Sequence, residues 1–132
     1  MKNDIKPLAL LRIFLGLVFL SAGLYRVLNW HEVTLEFSNL KLNSLYLPIL
    51  IIILEIGAGI FLILNIKLKE SLLVLIIFLI FTLIWTLVIF GKDLISKSSE
   101  LFTFQTTPTD FFLHLSYLVI LIYLFSVAKI KN

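Results

Sequence analysis

The sequence predicts an all-α membrane protein: one domain, residues 1–132, folded as an up-and-down bundle of four transmembrane helices with both termini cytoplasmic. Three observations carry this reading. Of the 132 residues, 61% are hydrophobic and only 14% charged, and mean hydropathy is +1.11, more apolar surface than a soluble domain of this size can cover. The apolar residues gather in four runs, 8–28, 46–66, 72–90 and 111–128, each about the 17–25 residues needed to cross a hydrocarbon core. Positive charge is concentrated at the ends of the runs, in Lys2 and Lys6, Lys67 and Lys69, and Lys129 and Lys131. The longer loops dilute it, with Lys41 against Glu32 and Glu36 in 29–45, and Lys92 and Lys97 against Asp93, Glu100 and Asp110 in 91–110. The positive-inside rule then sets both long loops outside a cell membrane.

The first run follows a short polar start in which Lys2 and Lys6 imitate the basic region of a secretory signal. It is longer than a signal's apolar core and carries Arg26 beyond Ser21, Ala22 and Gly23, so it reads as a retained span. Arg12, Gly16, Phe19, Gly23 and Arg26 recur at intervals of four, three, four and three, which puts them on one helical stripe. An arginine aimed at lipid tails is costly, so that stripe faces protein or reaches a headgroup. Arg12, one turn from the cytoplasmic interface, is expected to snorkel to phosphate. After the run, Asn29 and Glu32 have the spacing of a capping box, and Trp30, Val33, Phe37 and Leu40 would form the apolar face of a short interfacial helix.

Glu55 interrupts the second run, seven residues past Pro48 and so roughly 10 Å below the outer interface. Arg26, one turn inside Trp30, lies roughly 6 Å below it. Thr82, Trp85 and Thr86 occupy the outer half of the third span. The loop that follows, with Phe102, Phe104 and residues 105–109, reads as irregular and broken by Pro108, with Asp110 opening the fourth helix. Asp110, His114 and Tyr117 share a face of that helix. Two hydrophobic loops on one side form a lid or rest on headgroups.

Polar groups from four helices thus converge in the outer leaflet. A carboxylate at that depth is protonated or paired with a cation, and Arg26 is its natural partner. The pair reads either as part of a pocket or as an ion pair that fixes helix packing. His114, beside Asp110 and near Glu55, reads as a hydrogen-bonded packing residue or as a proton-transfer or quinone-carbonyl contact. Trp85 reads as packing or as pocket wall, and Gly16, Gly23, Gly57 and Gly59 as sites of close helix contact.

Other chemistries are excluded. With no cysteine, the chain has no disulfide, thiolate ligand or thiol nucleophile of its own. His31 and His114 lack the clustered ligands of a zinc or iron site, so no metal is expected. There is no phosphate-binding glycine loop and no nucleophile elbow. The net charge of +3 reflects flanks beside anionic headgroups, and nucleic acid is not an expected partner.

Arg12, Gly16, Phe19, Gly23 and Arg26, then Glu55 with Gly57 and Gly59, then Asp110, resemble the DoxX family of small four-helix membrane proteins. Arg26 stands where lysine is more common, and the Phe-Gln-Thr-Thr-Pro stretch of the second loop departs from the family pattern. The resemblance implies association with respiratory or redox complexes, of which a thiosulfate:quinone oxidoreductase subunit and components of oxidative-stress complexes are examples. A quinone would reach the polar groups laterally from lipid, with Arg26 facing an anion or a quinone oxygen. No electron carrier is intrinsic to the chain, so a redox role, at most that of an oxidoreductase subunit, needs a bound quinone or a partner subunit. Two other classes stay open: a structural or assembly subunit, buried in a larger complex or a homo-oligomer, and a small proton-coupled exporter.

Overall fold

Five helices form in the order α1 (Ile5–Leu28), α2 (Trp30–Asn39), α3 (Tyr46–Leu64), α4 (Leu68–Ser96) and α5 (Thr107–Ile130). The structure is a computed structural model that describes residues 5–96 and 107–130. Four of the helices hold stretches long and apolar enough to cross a membrane: Pro7–Leu28, Tyr46–Leu64, Leu68–Lys92 and Phe111–Ala128. Between 17% and 33% of each stretch is buried within the chain, while Leu10, Leu24, Ile53, Ile77 and Val119 point outward. Helices that are apolar on every side belong in lipid rather than water.

The boundaries differ from expectation for local reasons. The second span stops at Leu64 instead of 66, because Asn65 takes a left-handed conformation with φ 60°. The Ile66 N–H then reaches back to the Phe61 carbonyl at 2.9 Å, the closing bond of a Schellman turn. The third span, carried on α4, begins at Leu68 rather than 72, with Glu70 in its first turn, where the helix dipole favours an acid. The helix continues to Ser96 through a break at Phe90 (φ −117°, ψ 15°). The fourth span is Phe111–Ala128 as expected, but its helix α5 starts at Thr107 rather than Asp110. Pro108 falls in its first turn, where a missing N–H costs little. Residues 97–106, with Phe102, Phe104, Lys97 and Glu100, lie outside the described residues, as do Lys2 and Lys131.

The short helix after α1 forms with Val33 and Phe37 buried, but the expected capping box does not. Asn29 makes no side-chain cap bond; its Nδ2 donates to the Tyr25 carbonyl at 2.9 Å, and Glu32 accepts from the Tyr25 hydroxyl. Asn29 follows α1 without a spacer, so its amide closes that helix instead of opening the next.

Contacts between α1 and α3 fix the bundle. Gly23 lies against Ile56, and Gly16 against Gly59 and Ile63, so the two helices run antiparallel. At Gly16 an added Cβ would sit 2.8 Å from the Gly59 carbonyl oxygen, and at Gly59 one would sit 2.8 Å from the Gly16 oxygen. Small residues permit this backbone approach. Gly57 departs from the expected helix-contact set: a Cβ there meets nothing within 4 Å, because it is on the α3 face turned away from α1.

Further along the same pair, Arg12 also departs from expectation. Its guanidinium turns inward and donates to the carbonyls of Leu62 and of Ile63, the latter at 3.2 Å. These belong to the last turn of α3, whose carbonyls lack helical partners and carry the negative end of the dipole. α3 also packs against α4, α4 against α5, and α5 returns to α1. The core of Leu15, Phe19, Ala58, Leu62, Leu72, Leu75, Leu79, Leu121 and Leu124 fills the half of the bundle away from α2. The α2 half holds the polar residues beside the buried Val33 and Phe37.

Candidate functional site

Arg26 is carried on the last turns of α1, on the stripe that faces α3. Its Nη1 donates to Oε1 of Glu55, and its Nη2 lies 3.5 Å from Oε1 of Glu36 on α2. One cation therefore serves two carboxylates from different helices. Glu55 is 3% exposed, whereas the Glu36 side chain is 50% exposed, so the arginine links the interior to the α2 surface. Arg26 Nε and Glu55 Oε2 are buried and make no hydrogen bond among the described residues. A buried polar atom without a partner is costly, and these two lie on neighbouring residues of one site.

Both residues line a cavity of about 480 Å³ bounded by α1, α3, α4 and α5 and reached by Glu36 of α2 and by Leu40, which follows it. Phe19 and Leu79, from the top of the core, are in its wall, together with Thr82, Thr86, Phe90, His114 and Tyr117. The Thr82 hydroxyl donates to the Phe78 carbonyl and the Thr86 hydroxyl to the Thr82 carbonyl, each at 2.8 Å. With their hydrogens used, these hydroxyls offer lone pairs to the cavity. The rings of His114 and Tyr117 meet edge to face at 6.0 Å.

A second cavity of about 390 Å³ lies between α2, α3 and α4 and shares Arg26, Glu36, Leu40, Phe78, Thr82 and Thr86 with the first. Its remaining wall is apolar apart from Trp85, and includes Leu47, Leu50, Ile77 and Phe81. Trp85 stacks on Phe81 with centroids 6.0 Å apart and donates from Nε1 to the Leu40 carbonyl at 2.8 Å, tying the end of α2 to α4.

Of the residues expected to meet, Arg26, Glu55 and His114 line one cavity, while Trp85 lines the adjoining one. The Asp110 side chain lies outside the described residues. Glu36 was not singled out by the sequence reading. The signal was present, because Glu36 stands three residues after Val33 and four before Leu40, at the edge of the apolar face of α2. Among the described residues no three His, Asp or Glu side chains are grouped to hold a metal ion.

Comparison with curated proteins and with solved structures finds no match. The family model DoxX matches residues 8–90, more than half of the chain. The matched segment contains Arg12, the glycine contacts, Arg26, Glu36 and Glu55, and it ends at Phe90, where α4 breaks. His114 and α5 lie beyond it. With four helices apolar enough to span a bilayer and this match, the chain belongs to the DoxX family of membrane proteins.

Proposed function

We propose that this chain is the membrane subunit of a quinone-linked redox complex in the cell membrane, and that its larger cavity receives the head of a quinone. Both termini are cytoplasmic in this reading, and α2 lies on the outer side. The observation that carries the proposal is the Arg26–Glu55 pair, which leaves one buried donor and one buried acceptor unsatisfied on a cavity of about 480 Å³. That volume falls within the usual range for small-molecule pockets, roughly 300–1,000 Å³. The adjoining apolar cavity supplies a route for a hydrocarbon tail between α3 and α4.

The quinone, when bound, supplies the electron-carrying chemistry that the chain lacks. The protein's own residues bind and orient it. Arg26 Nε–H is a donor for a ring oxygen, Glu55 holds the guanidinium in place, and Phe19, Phe78, Phe90 and Phe111 exclude water from the polar floor. An anionic ligand is disfavoured, because Arg26 is already shared between two carboxylates. Purification in native lipid followed by solvent extraction and quinone quantitation tests the proposal. Quinone retained above the level of the surrounding lipid, and lost in R26M/E55L, is the expected result. No enrichment over bulk lipid would leave a structural subunit as the better reading.

A further inference from the structure

We infer that the cavity prefers the hydroxyl-bearing, reduced form of its ligand, a hydroquinone, over the oxidised quinone. The inference rests on the proposed quinone-class occupant and follows from which hydrogen-bonding groups the wall has left to offer. Glu55 is 3% exposed and lines the larger cavity. Its Oε1 is occupied by Arg26, while its Oε2 has no partner. A carboxylate held by a guanidinium can only accept, so the vacant oxygen calls for a ligand that donates.

The neighbouring threonines point the same way. Thr82 and Thr86 have given their hydroxyl hydrogens to backbone carbonyls, so their oxygens also face the cavity as acceptors. Arg26 has spent Nη1 on Glu55 and lies within ion-pair distance of Glu36 through Nη2, and Trp85 has spent its N–H on Leu40. Arg26 Nε remains as a donor, and the Tyr117 hydroxyl and the His114 ring, also in the wall, are groups that can donate or accept. A quinone, which has carbonyl acceptors only, can satisfy Arg26 Nε but leaves Glu55 Oε2 desolvated and bare. A hydroquinone hydroxyl accepts from the one and donates to the other. Sites built around a polar partner reject analogues lacking it because the buried group is then left unpaired.

The test uses the full chain in lipid nanodiscs under anaerobic conditions. A short-chain alkyl benzoquinone and its hydroquinone are titrated separately by calorimetry. The hydroquinone is expected to bind about tenfold or more tightly, the scale of a hydrogen bond to a charged group. In E55Q, whose amide can turn a donor toward the ligand, the preference should fall to within about twofold. T86V, which removes one acceptor without touching the ion pair, should weaken the hydroquinone alone, and it serves if E55Q does not fold. Equal binding of both forms, or tighter binding of the quinone, overturns this inference and leaves the proposed function standing. If neither form binds, the quinone reading itself falls.

Discussion

Gly16 and Gly59 touch backbone to backbone: a Cβ on either would lie 2.8 Å from the other's carbonyl oxygen. Backbone atoms cannot rotate away as a side-chain tip can, so α1 and α3 would have to separate. G16A and G59A should each destabilise the protein by about 1–3 kcal/mol, the usual scale of overpacking. G57A, whose Cβ meets open space, should be neutral or gain up to about 1 kcal/mol from helix propensity. Chemical unfolding in detergent compares the three, and equal losses at all positions would contradict the contact geometry.

The Arg26 cluster should respond asymmetrically. R26M takes the guanidinium away from Glu55, which is 3% exposed, a loss of about 3–5 kcal/mol for a broken buried pair. E55L should cost less, because Arg26 keeps Glu36 at 3.5 Å. R26M/E55L should cost less than the sum of the single changes. A double-mutant cycle measured by unfolding decides; additive losses would mean that the pair is not coupled.

Arg12 caps α3 and is not, in this structure, a free headgroup anchor. R12M should leave two carbonyls short of a partner and cost about 1.5–3 kcal/mol, as for hydrogen bonds from a charged donor. Amide exchange around Asn65 and Ile66 should speed up with it. Unchanged stability together with weaker binding to anionic lipid would restore the snorkelling role.

Trp85→Phe keeps the stacking on Phe81 but removes the bond to Leu40. The expected effect is about 1 kcal/mol and faster proteolysis within 40–45, with the spans unaffected. Protease resistance equal to the parent protein would show that the bond does not hold α2.

The absence of cysteine makes topology directly measurable, since each introduced thiol is the only one. N43C should react with a membrane-impermeant thiol reagent in intact cells, and N65C only after permeabilisation. The reverse pattern would invert the proposed orientation.

Particular residues show what the sequence made legible. The three-four spacing of Arg12 through Arg26 and the lone acid in the second run are enough to bring Arg26 and Glu55 together, because a charge in an apolar helix has few places to go. Helix ends were less legible. Asn65 and Pro108 shift boundaries by two or three residues through φ preference, a local effect that periodicity does not see. Glu36 escaped because a glutamate on a half-exposed helix looks like a solvated charge until the facing arginine is placed. Arg12 was misread because its partner is backbone, and the Leu62 and Ile63 carbonyls leave no trace in side-chain identity. Gly57 is spaced like its neighbour Gly59, yet two steps around a helix turn it toward open space.

Glu36 on α2 and Leu40, which caps its end, stand one turn apart, one within ion-pair distance of Arg26 and the other gripped through its carbonyl by Trp85. Peeling α2 away would give up both anchors and leave the guanidinium with one carboxylate instead of two. A mechanical pull on this surface helix is thereby converted into a change of local charge at the buried site.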